Sequence, residues 1–268
     1  MLTTALIITT FRRPDALEKV LQSVLNQSVL PTEIIVAEDD LSDETVKIIE
    51  KFRAQTSTPI LHIRQEHNGF RLALIRNKAI LAASAQYLIF IDGDCVLERN
   101  FVADHQKYAK QNCFLQGSRA LLNKEKTEKF LKSEEIKISF FDAGFDGNRK
   151  NALRLPFISN FLIRRLDQKL KGIRACNFSL FRTDCLLANG FDSSFIGWGR
   201  EDSEFIARLY NNGIYRRKIK FSALMYHLWH EPNSRQNLKE NEEKLSKTIA
   251  SQLKTTANGI KQLAENSS

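Results

Sequence analysis

Several features that would assign a chain to a special class are absent from this sequence. No apolar run approaches the roughly 18 residues that a membrane-spanning helix requires, and neither an internal repeat nor a low-complexity tract is present. The N-terminus lacks both a cleavage site and a basic stretch ahead of its apolar residues; Arg12 and Arg13 follow those residues instead. We therefore expect a first β-strand here and not a signal peptide, and we expect a cytoplasmic protein.

Cysteine is scarce and has no metal-binding spacing. The four cysteines form no Cys-x-x-Cys pair, and their apolar neighbours predict buried free thiols in a reducing compartment. Basic residues outnumber acidic ones by 40 to 31, which gives a formal net charge of +9. That charge favours a nucleotide, an anionic glycan or an anionic membrane surface as partner, and alone it does not exclude nucleic acid. The cysteines are Cys95, Cys113, Cys176 and Cys185.

The 268 residues can bury a large core, and the first hundred alternate strand-like and helix-like segments. Strands are predicted at 5–10, 33–37, 60–63 and 87–91. Helices are predicted to begin at Pro14, after Ser42 and at Leu72. A series of this kind implies an α/β protein with a mostly parallel sheet and helices on both of its faces.

Two acidic residues directly follow the fourth predicted strand, in the order Asp92-Gly93-Asp94. Open α/β sheets bind ligands at the carboxyl edge of their strands, where these side chains would lie. Carboxylates one residue apart are well placed to hold a divalent metal through oxygen ligands. Such a metal would neutralise a ligand that carries phosphate.

The middle and the end of the chain are less regular. The charged run 123–129 predicts a solvated helix face. Residues 157–171 mix apolar with basic residues, which fits either a surface helix packed on the domain or a basic patch that contacts an anionic membrane or acceptor. Beyond Pro232 the chain is polar, rich in lysine and helix-prone, and we predict an appendage without assigned chemistry.

Four segments of the first half form a recognisable series. They are Thr9-Thr10-Phe11-Arg12-Arg13-Pro14, Glu38-Asp39-Asp40-Leu41-Ser42-Asp43, Asn68-Gly69-Phe70-Arg71-Leu72-Ala73-Leu74-Ile75-Arg76-Asn77 and Asp92-Gly93-Asp94. In type and order they resemble the segments of the nucleotide-sugar glycosyltransferases of family 2, which have the GT-A fold, and the resemblance covers about residues 4–232. It implies a GT-A, Rossmann-like central sheet flanked by helices, with a helical C-terminal tail.

The resemblance implies a set of nucleotide-binding residues. Asp39 falls on the position that contacts uracil or ribose, although Glu38 and Asp40-Leu41 replace the family's Asp and Gly-Ser. Arg76 would face the nucleotide phosphates, and a surface helix charge is the alternative for it. The implied set is Thr9, Phe11, Arg13, Asp39, Arg76, Asp92 and Gly93.

The segments 174–182 and 197–202 resemble the chondroitin-polymerase-type transferases and the C-terminal region of the β-1,4-galactosyltransferases. In those families a Gly-Trp-Gly-x-Glu-Asp loop carries the carboxylate that activates the acceptor. The resemblance implies Asp202 as general base, with Glu201 beside it. Trp198 and Gly199 would contact the acceptor sugar, and ordinary core packing is the alternative for Trp198.

The same relatives have a histidine metal ligand after the helix that carries the base. His227 and His230 are both in range, and three residues apart on a strand only one needs to point inward. We favour His227, which follows apolar residues, and keep His230 as the second candidate. The implied metal shell is Asp92, Asp94, His227 and His230, with Mn²⁺ or Mg²⁺ as the metal.

Together these features predict an inverting, metal-dependent glycosyltransferase that uses a UDP-sugar. The expected acceptor is a surface glycan or glycolipid such as lipopolysaccharide or capsule, without nucleic acid as a partner. Residues 1–232 would form the GT-A domain, with 1–100 as its nucleotide-binding half and 101–232 as its acceptor-binding half, and 233–268 the tail. The basic segment at 164–174 and the tail predict peripheral association with the inner face of the membrane.

Two other interpretations fit parts of the sequence. Asp92-Gly93-Asp94-Cys95-Val96 also fits a haloacid-dehalogenase-type phosphatase, with Asp92 as a covalent nucleophile. That motif normally ends the first strand of its domain, whereas three strand-helix units precede it here. A non-catalytic module that binds glycan or nucleic acid would fit the charge, but it leaves the carboxylates unexplained.

Overall fold

The first half of the chain alternates strands and helices in the computed structural model, which describes residues 2–232 and 234–265. Helix α1 begins at Pro14, where a missing N–H costs no hydrogen bond, and α2 begins after Ser42, whose hydroxyl accepts from the Thr45 N–H. The predicted strands and helices are confirmed. They are β1 (Thr4–Thr10), α1 (Pro14–Leu25), β2 (Glu33–Glu38), α2 (Asp43–Arg53), β3 (Ile60–Arg64), α3 (Leu72–Ala82) and β4 (Tyr87–Asp92).

The second half contains shorter elements. The charged run at 123–129 is helical, as predicted. Residues 157–171 do not form one helix. The seven-residue helix α6 (Pro156–Leu162) is followed by a short strand, β9 (Leu166–Asp167), in which Asp167 accepts from Arg216 of the sheet. The elements to β9 are β5 (Cys95–Leu97), α4 (Phe101–Tyr108), β6 (Cys113–Gln116), β7 (Ala120–Leu122), α5 (Lys124–Lys132), β8 (Phe145–Gly147), a 3-10 helix (Arg149–Ala152), α6 (Pro156–Leu162) and β9 (Leu166–Asp167). They continue with β10 (Asn177–Phe181), α7 (Arg182–Leu187), α8 (Glu201–Asn211), β11 (Tyr215–Lys218), β12 (Met225–His227), α9 (Leu238–Ala250) and α10 (Ile260–Glu265).

The central sheet has eight strands in the order β3-β2-β1-β4-β10-β6-β11-β9. Strands β3, β2, β1 and β4 are parallel, as are β6 and β11, whereas β10 runs antiparallel between β4 and β6. The prediction of a mostly parallel sheet holds for the N-terminal half. Because β10 is reversed, its first residue, Asn177, lies opposite Ile91 near the carboxyl end of β4.

A second sheet has four short strands in the order β5-β12-β7-β8. In it β12 runs antiparallel to β5, and His227 lies opposite Cys95. Since Cys95 immediately follows Asp94, this pairing carries the end of β12 to the Asp92-Gly93-Asp94 turn. The small sheet therefore connects the two halves of the chain at the carboxyl end of β4.

Apolar side chains cover both faces of the large sheet. Along β1, Leu6 and Ile8 belong to one buried cluster with α1, and Ala5 and Ile7 belong to a second cluster with α3. This explains why the strands of this half are continuous apolar runs.

The C-terminal tail is helical, as expected. Helix α9 packs along α8, and Leu245, Thr248 and Ile260 are buried. The tail is thus packed on the domain and does not project from it. Within the described ranges, no helix has both the length and the apolar character needed to cross a bilayer.

Candidate active site

The Asp92-Gly93-Asp94 turn ends β4 and directs its two carboxylates to different neighbours. Asp92 accepts a hydrogen bond from the Thr9 hydroxyl (3.2 Å), and Asp94 lies beside the end of β12. Gly93 lies so close to β1 that a Cβ there would be 2.8 Å from the Thr10 side chain. A side chain at this position would push the turn away from β1, so the close approach requires glycine.

Asp94 lies between two histidines. Its Oδ1 is 3.5 Å from Nε2 of His227, and its Oδ2 is 3.5 Å from Nε2 of His230. Nδ1 of His230 is 2.7 Å from the Glu231 carbonyl oxygen, which can only accept, so Nδ1 donates to that carbonyl and Nε2 is the nitrogen that faces Asp94. Burial and the nearby Arg119 lower the pKa of His227 to about 3, which keeps its imidazole neutral.

These groups fit a divalent metal. Neutral imidazole nitrogens and carboxylate oxygens are the ligands that Mn²⁺ and similar ions take, and a carbonyl that orients the second ring nitrogen is typical of ligating histidines. One ligand atom each of Asp94, Cys95 and His227 lies within 4.8 Å of the others. The structure therefore brings both predicted histidines to Asp94. Asp92, the other predicted metal ligand of this turn, pairs with Arg76 instead.

Arg76 joins the two halves of the site. Its Nη2 is 3.5 Å from Oδ1 of Asp92, and its Nη1 is 3.3 Å from Oε1 of Glu201, 125 residues further along the chain. Only 2% of Arg76 is exposed, so it is a buried ion-pair partner and not a surface helix charge. The guanidinium also lies over the Phe191 ring, 5.2 Å from its centroid.

Three carboxylates occupy the first turn of α8, and two of them, Glu201 and Asp202, belong to the site. Burial and the neighbouring Asp202 raise the pKa of Glu201 to about 7, although Arg76 opposes the shift. Burial also raises the pKa of Asp202, again against Arg76. Oδ1 of Asp202 accepts from the Ser203 backbone N–H (2.6 Å) and from the Ser203 hydroxyl (3.2 Å), which fixes its orientation. Oε2 of Glu201 is buried without a hydrogen-bond partner among the described residues.

The loop before α8 carries Trp198 and Gly199. Trp198 is 40% exposed, so it is not an ordinary core residue, and the Arg235 guanidinium lies 5.3 Å from the centre of its ring. The Gly199 carbonyl accepts from the side chain of Asn241. The loop thus contacts the C-terminal segment, and its Gly197 N–H donates to the Phe70 carbonyl (2.8 Å).

The remaining predicted residues lie at the ends of β1 and β2. Asp39 is buried and accepts from the Gln65 side chain (2.6 Å) and the Arg71 N–H (3.0 Å). The Phe11 ring stacks on His67 with 4.5 Å between centroids. Arg13 lies apart from these groups, with its Nη1 3.6 Å from Oδ2 of Asp94.

Several residues that complete these groups were not predicted from the sequence. Gln65 and His67 lie just before the segment 68–77 that carries the family resemblance, and Arg71 lies within it, so their position at that motif was the available signal. Arg119, whose Nη1 is 3.7 Å from Sγ of Cys176, lies between two short strands and had no such signal.

Comparison with known families identifies the family to which this chain belongs. The model of glycosyl transferase family 2 matches residues 5–187, which is more than half of the chain. The chain belongs to glycosyl transferase family 2. A second model, described as the N-terminal domain of galactosyltransferase, matches residues 161–231. The resemblances found in both halves of the sequence are confirmed, and the haloacid-dehalogenase interpretation is wrong, because this domain is a glycosyltransferase domain.

Relatives of this family 2 domain include larger proteins. Chondroitin synthase of Escherichia coli is 27% identical over 263 residues, which cover 93% of this chain and 37% of that protein. This chain thus spans little more than a third of that relative.

Two solved structures share the fold. S. aureus TarS in complex with UDP has a TM-score of 0.62 at 15% identity, over 93% of this chain and 68% of that one. The mannosyltransferase PcManGT of Pyrobaculum calidifontis, in complex with GDP-Man and Mn²⁺, has a TM-score of 0.58 at 14% identity, over 86% and 58%.

Proposed function

We propose that this domain transfers a sugar from a UDP-sugar to a hydroxyl group of a glycan, with inversion and with a bound divalent metal. The observation that carries the proposal is the separation of two acidic groups by one buried arginine. Arg76 pairs through Nη2 with Asp92, in the turn that also carries Asp94 and its two histidines, and through Nη1 with Glu201, the neighbour of Asp202. Displacement at an anomeric carbon needs one group for the leaving diphosphate and another for the attacking hydroxyl.

The donor side offers positive charge for a diphosphate. A metal held by Asp94, His227 and His230 would stabilise the negative charge that develops on the departing nucleoside diphosphate. Nη1 of Arg13 and Nε of Arg76 are buried without a hydrogen-bond acceptor among the described residues. An entering diphosphate would supply acceptors for both, and the two guanidinium groups would orient it.

The side chains at the ends of β1 and β2 suit a uracil base. Asp39 is held in place by Gln65 and by the Arg71 N–H, and beside it His67, 3.8 Å from Oδ2 of Asp39, stacks on the Phe11 ring. A carboxylate can accept from the N–H of uracil, and an aromatic ring can stack on the base. TarS, a structural neighbour, was solved with UDP, which supports the same choice of nucleotide here.

Asp202 acts as the general base. The acceptor oxygen forms its bond to the anomeric carbon while the bond from that carbon to the diphosphate oxygen breaks, and the released electron pair leaves with UDP. The hydroxyl proton passes to the carboxylate of Asp202, which Ser203 orients. Its raised pKa makes that carboxylate a better proton acceptor than an exposed one. Trp198 would provide an apolar face for the acceptor sugar ring.

The acceptor is a surface polysaccharide or glycolipid, a choice supported by the similarity to chondroitin synthase.

One surface of the protein suits peripheral contact with an anionic membrane on its cytoplasmic side. Helix α6 exposes Phe157 (87%) and Phe161 (75%), and the exposed Arg164 and Arg165 follow. Burying an aromatic side chain in a bilayer contributes about 1.5–3 kcal/mol, and each basic residue near an anionic surface contributes about 1 kcal/mol.

Vesicle binding tests the membrane contact. The protein should co-sediment with phosphatidylserine vesicles at low salt and less at high salt. Phe157→Ser with Phe161→Ser should reduce binding. Phe141→Ser, also at an exposed phenylalanine (85%), is the control and should bind normally. No binding at low salt would contradict the membrane contact and leave the transfer reaction unaffected.

UDP release from a panel of UDP-sugars tests the function itself. With Mn²⁺ present, one donor should be hydrolysed slowly, and EDTA should abolish the reaction. A protein that binds glycan but neither hydrolyses any donor nor binds UDP with metal would be the non-catalytic module instead.

A further inference from the structure

The loop that carries Trp198 has an unusual backbone. Gly197, Gly199 and Arg200 all have positive φ angles, at 77°, 101° and 77°. Arg200 is not glycine, so its left-handed conformation is strained. Residues in such conformations persist only where surrounding structure holds them. Gly197 and Gly199 adopt positive φ freely, whereas Arg200 does not, so the loop depends on outside contacts to hold Arg200 in this conformation.

Helix α9 supplies those contacts. Asn241 is fully buried, and its side-chain nitrogen lies 3.2 Å from the Ile196 carbonyl oxygen and 3.0 Å from that of Gly199. One amide therefore binds the backbone on both sides of Trp198. The Asn237 side chain also donates to the Ile196 carbonyl (3.2 Å).

The same helix is tied to the start of α8. Arg200, the residue before α8, forms an ion pair with Glu242. The Thr248 hydroxyl lies 3.0 Å from Oε1 of Glu204, which is itself paired with the buried Arg208. Helix α9 thus fixes the loop at Asn241 and the first turn of α8 at Glu242 and Thr248. That first turn bears the two carboxylates of the site.

We propose that α9 is a brace for the acceptor site and that Asn241 is its positioning residue. The brace sets the position of the Trp198 ring relative to Asp202, so that a sugar ring packed on the tryptophan presents its hydroxyl to the carboxylate. Asn241 acts through the backbone and does not touch the substrate. The effect on use of the acceptor rests on the proposed transfer function. The mechanical part of the proposal, that α9 holds the Trp198 loop in place, does not depend on that function. Donor binding, at the ends of β1 and β4, lies outside the braced segment.

Fluorescence of Trp198 tests the mechanical part without any substrate. The chain has two tryptophans, so Trp229→Phe leaves Trp198 as the reporter. In this background, Asn241→Ala should increase acrylamide quenching of Trp198, because the loop loses both carbonyl contacts. Glu243→Ala, at an exposed position of the same helix, is the control. Unchanged quenching in a folded Asn241→Ala protein would overturn the proposal.

Kinetics test the catalytic consequence. Asn241→Ala should lower kcat/KM for the acceptor about tenfold, equivalent to about 1.4 kcal/mol, while UDP release without acceptor and the donor KM stay near normal. A general loss of structure would lower all three together, and that result would contradict a positioning role. If Asn241→Ala does not fold, Glu242→Ala removes only the partly exposed ion pair and should show the same split. Failure of the wild-type protein to use any donor would count against the transfer function, and the quenching result would still decide the brace.

Discussion

Replacing Arg76 with methionine should destabilise the protein strongly and in a pH-dependent way. Methionine keeps much of the volume and removes the charge. The pair with Glu201 is buried, with side-chain exposures of 3% and 11%, and breaking such a pair costs about 3–5 kcal/mol. The pair with Asp92 is weaker because 32% of the Asp92 side chain is exposed to water, so its loss adds at most about 1 kcal/mol to the destabilisation.

The pH dependence follows from Glu201. Its pKa is already about 7, and Arg76 is the group that lowers it, so the pKa rises further in Arg76→Met. At pH 8 the variant must either keep the unpaired Glu201 carboxylate buried or bind a proton to it, and both cost free energy at this pH. At pH 5.5 the carboxyl is already neutral, and the loss should be smaller.

Urea unfolding at pH 5.5 and pH 8 measures the difference. Arg64→Met, at an exposed position of β3, is the control and should change the free energy of unfolding little at either pH. A loss in Arg76→Met below about 1 kcal/mol, or one equal at both pH values, would show that the Arg76–Glu201 pair does not govern this site.

Three further predictions concern the reaction. Asp202→Asn should lower transfer roughly 10²- to 10⁴-fold while UDP affinity, measured by calorimetry, stays within about twofold; near-normal turnover would remove Asp202 as the base. Because burial raises the pKa of Asp202, kcat should begin to fall at a higher pH than an ordinary aspartate would give, and a rate that falls only near the usual aspartate pKa of about 3.9 would contradict a base with a raised pKa. Asp94→Ala should abolish the increase in UDP affinity that Mn²⁺ causes, and an unchanged increase would exclude Asp94 from the metal shell.

The sequence predicted the N-terminal half of the fold well. Its strands are apolar runs covered on both faces, and Pro14 and Ser42 mark helix starts by local chemistry. The small sheet was not predicted, because three-residue strands such as β5 and β12 are too short to show a period. The segment at 157–171 was misjudged in length, since its strand β9 is fixed by a distant partner, Arg216.

The site was predicted in its residues more than in its connections. Asp94 and the two histidines were named, but the pairing of β12 with β5, which brings His227 to Asp94, and the approach of His230 to the same carboxylate are seen only in the structure. The pair between Arg76 and Glu201 spans 125 residues, and no local pattern encodes it. Asn241 was overlooked because a single buried asparagine in a polar helix leaves no periodic signal.

The reversed strand β10 has a consequence for protein engineering. Asn177 at its start lies near the end of β4, where Asp92 and Asp94 also lie and where Arg76 joins Asp92 to Glu201, and the opposite end of the sheet holds the beginnings of β1, β2, β3 and β4 and the end of β10. The turn at 55–58, between α2 and β3, lies at that opposite end and is largely exposed. Fluorophores, affinity tags or inserted domains attached there would leave the substrate entrance unobstructed, so that turn is the preferred point for immobilising or labelling the protein.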